Sequence, residues 1–303
     1  MQQAEFSEPL NLNLPSPVKE LDFPLFKEKS VRVFVKRDDL IHLYLSGNKW
    51  RKLKFNLLQA KKQQQNTLLT FGGAYSNHIH ATAAAGKIFG FNTIGIIRGE
   101  PCEPLNSTLS FARDQGMQLS YVDRKTYRHK TDLGFIQQLR QQYGDFYLIP
   151  EGGSNQQALP GCAEILTELQ QQISVPVDYV CMACGSGGTL AGMASIASNT
   201  QLLGYAVLKN ADFLNESVNQ LLNNANTGNW QIILDYHFGG YAKRNKGLMD
   251  FLTDFKHKFG IPIEPVYTAK MFYGLFDMIK TNFFPKHSTI VAIHTGGLQG
   301  FNA

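Results

Sequence analysis

A glycine-rich loop is the clearest chemical feature of the sequence. An apolar run at Tyr179–Ala183 leads into Gly185-Ser186-Gly187-Gly188-Thr189, and a helix of small residues is predicted at Thr189–Ala197. Glycines let backbone N–H groups converge on a ligand without obstruction by a Cβ atom. The start of the following helix adds unpaired N–H donors and partial positive charge. Because Ser186 and Thr189 can add hydroxyl donors, the loop is typical of a phosphate cradle.

Two better-known phosphate-binding templates do not match this loop. A Walker loop requires a lysine after the glycines, and none follows here. A dinucleotide fingerprint requires a third glycine where this chain has Leu190. The simpler alternative is an ordinary tight turn between strand and helix, although four consecutive Gly and Ser residues exceed what one turn needs.

A second chemical feature is a lysine at the start of a predicted helix. Asn48 resembles an N-cap residue, and Lys49, Arg51, Lys52 and Lys54 then crowd the first turns. Cations at this end oppose the helix dipole, at about 1 kcal/mol each at most. The same field, nearby cations and desolvation are expected to lower the pKa of Lys49, and only a neutral amine attacks a carbonyl. A solvated lysine is the alternative.

The elements that must position these residues alternate between strands and helices. Strands are predicted at Val31–Val35, Thr67–Phe71, Thr93–Ile97, Gln118–Val122, Phe146–Ile149, Tyr179–Ala183, Leu202–Leu208 and Thr289–Ile293. Helices are predicted at Trp50–Gln65, Tyr75–Gly90, Pro104–Gly116, Asp132–Tyr143, Gln157–Ile173, Thr189–Ala197, Ala242–Phe259 and Lys270–Thr281. This alternation predicts an α/β protein with parallel sheets.

Composition limits the classes of protein that the chain can be. It has 303 residues, 43% of them hydrophobic and 17% charged, and a net charge of +5. These values favour a folded enzyme over a disordered or nucleic-acid-coating protein. No signal peptide and no membrane span are expected. Four scattered cysteines, Cys102, Cys162, Cys181 and Cys184, do not resemble a disulfide framework, which favours a cytoplasmic location and buried thiols.

Seven motifs in the chain match one family in that family's own order. They are Lys36-Arg-Asp-Asp39, Ser46-Gly-Asn-Lys-Trp-Arg-Lys-Leu53, Gly72-Gly-Ala-Tyr-Ser-Asn-His78, Pro150-Glu-Gly-Gly-Ser-Asn155, Gly185-Ser-Gly-Gly-Thr189, Pro265-Val-Tyr-Thr-Ala-Lys270 and His294-Thr-Gly-Gly-Leu298. Together they resemble the 1-aminocyclopropane-1-carboxylate deaminase / D-cysteine desulfhydrase family.

The resemblance implies the tryptophan synthase β-like fold, fold type II of the pyridoxal 5'-phosphate enzymes. In this fold two open, twisted, mostly parallel sheets are flanked by helices. We expect a large cofactor-binding domain over residues 1–50 and 155–303, and a small inserted α/β domain over residues 51–154. The implied partners are a small amino-acid substrate and a second copy in a homodimer, with no nucleic acid and no membrane.

The resemblance also assigns roles to individual residues. Lys49 would form the Schiff base with pyridoxal 5'-phosphate and move a proton at the substrate Cα, and Ser76 would be a catalytic hydroxyl that can also cap a helix. Asn77 would bind the phenolic oxygen of the cofactor. Tyr267 would lie against the pyridine ring, and Tyr241 would be a second active-site tyrosine. The loop of Gly185, Ser186, Gly187, Gly188 and Thr189 would hold the phosphate.

Thr268 is an informative departure from the deaminase branch. The resemblance places a carboxylate here in that branch, paired with the pyridine nitrogen, whereas the desulfhydrase branch has threonine. A hydroxyl makes the ring a weaker electron sink, which favours α,β-elimination over opening of a cyclopropane ring. Thr295 could supply a further hydroxyl near the same nitrogen. We therefore expect elimination from an amino acid such as D-cysteine, which gives pyruvate, ammonia and sulfide.

Three alternatives remain open on the sequence. The first is ring opening of 1-aminocyclopropane-1-carboxylate to 2-oxobutanoate. The second is a β-replacement synthase of the same fold, and the third is a non-catalytic protein that binds a phosphometabolite. No metal site is predicted, because His78 and His80 have no further ligand at metal spacing and favour packing instead. His294 is interpreted as structural.

Overall fold

The structure is a computed structural model, and it describes residues 11–101, 103–225 and 229–300. Two compact units are present. One contains residues 49–158, and the other contains residues 12–48 and 159–300. The domain limits expected from the sequence, 1–50 with 155–303 and 51–154, stay a prediction, and Cys102 lies outside the described residues.

Strands and helices alternate along the described chain. The strands are β1 Val18–Leu21, β2 Arg32–Lys36, β3 Thr67–Gly73, β4 Asn92–Arg98, β5 Met117–Val122, β6 Tyr147–Ile149, β7 Tyr179–Cys184, β8 Gln201–Ala206, β9 Trp230–Ile233 and β10 Thr289–Ile293. The helices are α1 Pro24–Glu28, α2 Asn48–Lys62, α3 Asn77–Phe89, α4 Ser107–Asp114, α5 Leu133–Tyr143, α6 Leu159–Gln172, α7 Gly188–Ala194, α8 Phe213–Leu221, α9 Lys246–Phe259 and α10 Thr268–Lys280.

Each unit is built on its own sheet. The larger unit has the strand order β1-β2-β10-β7-β8-β9, in which β1 runs antiparallel to β2 and the other described pairs are parallel. The smaller unit has the order β5-β4-β3-β6, with parallel pairing throughout its described strands. The predicted α/β fold with two mostly parallel sheets flanked by helices is therefore confirmed.

Strand β7 shows why an unbroken apolar run forms a central strand. Successive side chains of a strand point to opposite faces, and helices cover both faces of a parallel sheet. Cys181 and Ala183 accordingly join the hydrophobic cluster on one face, while Val180 and Met182 join the cluster on the other. Cys181 and Cys184 are both buried, as expected from the sequence.

The eight predicted strands and eight predicted helices are all present, and four further elements are not predicted. The strands missed are the edge strands β1 and β9, each of four residues, whose short patterns mix polar and apolar side chains. The helices missed are α1, with five residues, and α8. No helix of the described residues is long and apolar enough to cross a membrane.

The parallel arrangement brings several loops to one edge of the larger sheet. Strands β2, β7, β8 and β10 run in the same direction, so the segments that follow their carboxyl ends leave from the same edge. These segments begin at Arg37, Gly185, Val207 and His294. In open α/β sheets, ligands bind at this carboxyl edge.

Candidate active site

The glycine loop connects β7 to the start of α7. Gly187 is the N-cap residue of α7 and has φ +74°, a left-handed conformation that favours glycine. Because Gly187 has no side chain, the N-cap residue itself makes no capping hydrogen bond. A Cβ atom at Gly187 would lie 2.8 Å from Cγ2 of Val218, so the loop has no room for a larger residue. The geometry leaves backbone donors of the helix start for an anion such as a phosphate.

Asn48 connects the residue before Lys49 to the glycine loop. Its side-chain Nδ2 donates a hydrogen bond to the Thr189 hydroxyl at 3.0 Å, and its backbone N–H donates to the carbonyl of Thr295 at 3.3 Å. The adjacent Gly47 has φ +65°, and a Cβ atom there would lie 1.9 Å from the Thr295 carbonyl oxygen. The backbone just before Lys49 is therefore fixed both to the glycine loop and to the segment after β10.

Lys49 is the second residue of α2, whose first turn contains no acidic side chain. Its side chain is half-buried, and Trp50, Arg51 and Lys52 after it are buried. Lys52 has its own partners, since its Nζ donates to the Gly152 carbonyl at 3.1 Å and to the Ser154 hydroxyl at 2.9 Å. The predicted crowding of cations at this helix start is therefore present.

Ser76 and Asn77 form the start of α3 in the smaller unit. The Ser76 hydroxyl caps this helix by accepting a hydrogen bond from the Ile79 N–H at 3.3 Å, so the expected capping role is confirmed. Asn77 is the first helical residue, and both side chains are partly exposed. Gly72 makes room for the serine, because a Cβ atom at Gly72 would lie 2.8 Å from the Ser76 hydroxyl oxygen.

His78 and His80 pack inside the smaller unit. His78 is 2% exposed, and its Nε2 lies 2.8 Å from the hydroxyl of Thr70. Because that hydroxyl donates to the Ile149 carbonyl, it accepts from His78. Burial lowers the pKa of His78 well below its ordinary value, and the positive charges of Lys49 and Lys52 lower it further. His80 stacks on the ring of Phe111, with centroids 3.8 Å apart.

Tyr267 and Tyr241 meet beside the glycine loop. The Tyr267 hydroxyl donates to the Tyr241 hydroxyl at 3.3 Å, and the two rings stand edge to face with centroids 5.9 Å apart. A Cβ atom at Gly185 would lie 3.1 Å from Cε1 of Tyr267. Tyr241 is 40% exposed. The structure thus brings both predicted tyrosines and the glycine loop together within the larger unit.

Thr268, the first residue of α10, contacts a carboxylate that the sequence reasoning missed. Within the described chain, each hydrogen bond of its hydroxyl goes to Glu264: the hydroxyl accepts from the Glu264 N–H at 2.9 Å and lies 3.1 Å from Oε1. Glu264 also accepts from the N–H groups of Val266, Tyr267 and Thr268 at 2.7 to 2.9 Å. Glu264 lies four residues before the start of α10 and six before the predicted start at Lys270, and the sequence around it carries no capping signal that could have identified it.

The Glu264 carboxylate is 2% exposed. Burial raises its pKa above the ordinary value, and the three backbone N–H groups and the Thr268 hydroxyl oppose this shift. The carboxylate therefore holds the segment that carries Tyr267 and Thr268.

The segment after β10 is held by a buried polar group. His294 Nε2 donates to the Pro262 carbonyl at 2.7 Å, and its Nδ1 accepts from the Gly296 N–H, so the ring is neutral. Burial lowers the pKa of His294, in keeping with that state. Asp39, paired through two hydrogen bonds with Arg37, lies 3.5 Å from Nδ1. Thr295, 8% exposed, is the next residue, and its carbonyl accepts from Asn48.

The chain is similar to known pyridoxal-phosphate enzymes along most of its length. The family model described as "Pyridoxal-phosphate dependent enzyme" matches residues 11–296. A Thermotoga maritima protein, named as a candidate 1-aminocyclopropane-1-carboxylate deaminase, is 32% identical over 95% of this chain and 96% of its own length. The Arabidopsis thaliana protein named bifunctional D-cysteine desulfhydrase/1-aminocyclopropane-1-carboxylate deaminase, mitochondrial, is 30% identical over 95% of this chain and 77% of its own.

Solved structures give a similar result. The crystal structure of an ACC (1-aminocyclopropane-1-carboxylate) deaminase homologue superposes with a TM-score of 0.83 at 29% identity. The match covers 94% of this chain and 90% of that one. The O-acetylserine dependent cystathionine beta-synthase of Helicobacter pylori has a TM-score of 0.68 at 16% identity, over 92% and 91% of the two chains, which shows a shared fold.

Proposed function

The chain belongs to the family of pyridoxal-phosphate dependent enzymes, and from this premise we propose that it catalyses α,β-elimination from a small amino acid with a leaving group on Cβ. D-cysteine is the proposed substrate. One molecule of water is consumed, and pyruvate, ammonia and hydrogen sulfide are released. The proposal rests on the residues that surround the glycine loop and begin α10.

We propose that five groups hold the cofactor. The loop of Gly185, Ser186, Gly187, Gly188 and Thr189 would take the phosphate, and the observation that fits this group is a glycine N-cap at the start of α7, which supplies no side-chain cap. Lys49 takes the aldehyde carbon, because Asn48 fixes the preceding backbone to Thr189. Asn77 would bind the phenolic oxygen, and Thr268 and Thr295 would be the residues for the pyridine nitrogen. When bound, pyridoxal 5'-phosphate withdraws electrons from the substrate Cα.

Side chains of this protein carry the proton transfers in the proposal. The Lys49 amine removes the proton from the substrate Cα, with the Ser76 hydroxyl as a second group that holds or moves a proton. The Tyr267 and Tyr241 hydroxyls, 3.3 Å apart, form a pair that can pass a proton to a departing sulfur. The Tyr267 ring orients the reacting groups from the side of Gly185.

The choice of elimination depends on one observation, the neutral residue that begins α10. Thr268 is fully buried, and the nearest carboxylate, Glu264, already accepts three backbone N–H groups and contacts the Thr268 hydroxyl. A hydroxyl at this position stabilises negative charge at Cα less than a carboxylate would. In elimination, departure of the β-substituent removes that charge, so elimination needs this stabilisation less than ring opening does.

Ring opening of 1-aminocyclopropane-1-carboxylate is the second candidate. The names of the two curated relatives favour it, since both include deamination of this compound. One of them also includes desulfhydration of D-cysteine. Thr268 is the reason that we rank elimination first.

A substrate panel tests the assignment. Purified protein saturated with pyridoxal 5'-phosphate is incubated with D-cysteine, L-cysteine and 1-aminocyclopropane-1-carboxylate, and pyruvate, sulfide and 2-oxobutanoate are measured. We expect pyruvate and sulfide from D-cysteine to form fastest. Faster release of 2-oxobutanoate from the cyclopropane substrate would show that the ring-opening assignment is the right one.

Matched variants locate the reaction in the same assay. Lys49→Ala is expected to lower the rate by a factor of about a thousand or more, because the attacking amine is lost. Lys62→Ala, at the exposed end of the same helix, removes the same charge and is expected to leave the rate unchanged. A second thiol added to the assay tests for β-replacement, which would produce a new amino acid.

We also propose a homodimer and a cytoplasmic location. The homodimer follows from the fold type, and the location follows from the four scattered cysteines, whose number and spacing do not resemble a disulfide framework. One chain has a mass of 33.9 kDa. Light scattering of the purified protein should give twice this mass. A mass of one chain over the whole working concentration range would contradict the dimer.

A further inference from the structure

Lys270 is a fully buried cation in α10 that the proposed reaction does not use. Its side chain has no exposed surface. Its Nζ donates to three backbone carbonyls: Gly240 at 2.7 Å, His237 at 2.9 Å and Val207 at 3.3 Å. An ammonium group has three N–H donors, so this set of acceptors satisfies it completely.

The three carbonyls belong to two separate segments at one edge of the larger sheet. Val207 directly follows β8, and His237 and Gly240 lie in the loop that follows β9. This second loop leads directly into Tyr241. The ammonium group therefore joins the end of β8 to the loop that presents Tyr241.

That loop has an unfavourable backbone that needs external support. Phe238 has φ +53° and Ala242 has φ +56°, and Gly239 and Gly240 between them also have positive φ. Residues other than glycine pay roughly 1 to 2 kcal/mol for a left-handed conformation, and they keep it only where surrounding contacts fix it. The loop is exposed from Tyr241 to Gly247, so burial of side chains does not fix it there.

We propose that Lys270 is a positioning residue for Tyr241. Its ammonium group holds the loop of residues 237–240 against the end of β8, and so places the Tyr241 hydroxyl against that of Tyr267. The proposal rests on the proposed function only for the use that the reaction makes of Tyr241.

The charge of Lys270 gives the positioning a dependence on pH. Burial lowers the pKa of Lys270 to about 8, and the negative charge of Glu264 opposes this shift. Above that pH the neutral amine has two N–H donors for three carbonyls. Among titratable residues, His237 lies in the loop itself, Tyr241 follows it, and the Cβ of Lys209, after β8, lies 3.4 Å from where a Cβ atom on Gly240 would stand.

Limited proteolysis tests the proposal without any need for turnover. Lys243 and Arg244 are exposed trypsin sites just beyond Tyr241. In the holoenzyme Lys270→Met, which keeps the length of the side chain and removes the charge, cleavage after these residues is expected to be about tenfold faster than in the wild type. Lys280→Met, at the exposed end of α10, is the control with the same loss of charge and should cleave at the wild-type rate. Equal cleavage of the two variants would overturn the proposal.

Activity and chemical rescue separate positioning from general stability. In Lys270→Ala, kcat is expected to fall about tenfold or more, and added methylammonium should restore part of it by entering the space left by the side chain. A merely structural lysine would give a loss that methylammonium does not change, and that result would contradict the proposal. If the wild type shows no elimination activity, the proposed function is wrong. The proteolysis experiment does not depend on that activity, so it still tests the role of Lys270.

Hydrogen exchange of the wild type covers the case in which the variants do not fold. The rates of amide hydrogen exchange of Gly239, Gly240 and Tyr241 are measured from about pH 7 to about pH 9.5. Each rate is divided by the exchange rate of an unstructured peptide at the same pH, which corrects for the intrinsic effect of pH. We expect the remaining rate to rise about fivefold or more as the pH passes about 8. A corrected rate that stays flat across this range would overturn the proposal.

Discussion

Two helices of the larger unit, α7 and α10, begin beside the same tyrosine and satisfy their first N–H groups in opposite ways. At α10, the buried carboxylate of Glu264 accepts three backbone N–H groups and contacts the Thr268 hydroxyl. At α7, Gly187 supplies no side-chain cap. A helix start attracts negative charge in either case. The difference supports our proposal that the start of α7 takes the anion of a ligand, whereas α10 has a carboxylate of its own.

The comparison predicts that removal of Glu264 has the largest effect on stability. Glu264→Ala leaves three N–H groups without their acceptor, and we expect the free energy of unfolding to fall by about 3 to 5 kcal/mol. Because α10 carries its own anion, most of this loss should already be present without cofactor. Urea unfolding of the apoprotein measures it, with Asp254→Ala on the exposed face of α9 as the control. A loss below about 1 kcal/mol would contradict the capping role.

Filling the start of α7 is expected to have a smaller effect on stability and a specific effect on ligand binding. Gly187→Ala places a Cβ atom in a left-handed residue and 2.8 Å from Val218, at a cost of about 1 to 3 kcal/mol. We also expect the dissociation constant of pyridoxal 5'-phosphate to rise about tenfold. The control is Gly134→Ala in α5, where a Cβ atom has no neighbour within 4 Å. Equal cofactor affinity in the two variants would remove the distinction between α7 and α10.

The start of α3 offers a third case, in which a neutral side chain caps the helix. Ser76→Ala removes the acceptor for the Ile79 N–H and should lower the free energy of unfolding by about 1 kcal/mol. If Ser76 also handles a proton, the rate of the folded variant should fall about a hundredfold or more. Ser76→Gly is the matched control, since glycine is a better N-cap than alanine and restores stability without restoring the hydroxyl. Full activity in both variants would limit Ser76 to capping.

The smallest expected effect is the pH dependence that Glu264 contributes. Because burial raises its folded-state pKa, the native protein binds this proton more tightly than the unfolded chain does. Its contribution to stability is therefore complete below the ordinary pKa of 4.5 and is lost as the pH rises through the folded value. The difference in unfolding free energy between wild type and Glu264→Gln should shrink as the pH rises from about 4.5 toward neutrality. If the difference in unfolding free energy between the two proteins widened with pH, the hydrogen bonds to Glu264 would have a larger effect on its pKa than burial has.

The two helix starts also show how far sequence reasoning reaches. The start of α7 could be predicted, because a run of glycines between an apolar strand and a helix of small residues is a local pattern typical of an anion site. The roles of Glu264 and Lys270 at α10 were missed, because both look like ordinary charged residues in the sequence and are buried only in the fold. Strand β7 could be predicted because its unbroken run of apolar residues is itself a strand signal. Strand β1 has only four residues and forms by pairing with β2, so its sequence carries little signal.

The central claim is that Lys49 carries the cofactor whose phosphate binds at residues 185–189. Reduction of the cofactor-loaded protein with borohydride, followed by peptide mass spectrometry, fixes the cofactor to the amine that holds it. We expect a phosphopyridoxyl group on Lys49, and no such group at this position when Lys49→Ala is treated in the same way. A label on Lys52, Lys54 or Lys270 instead, or a wild-type protein that takes up no label, would contradict it.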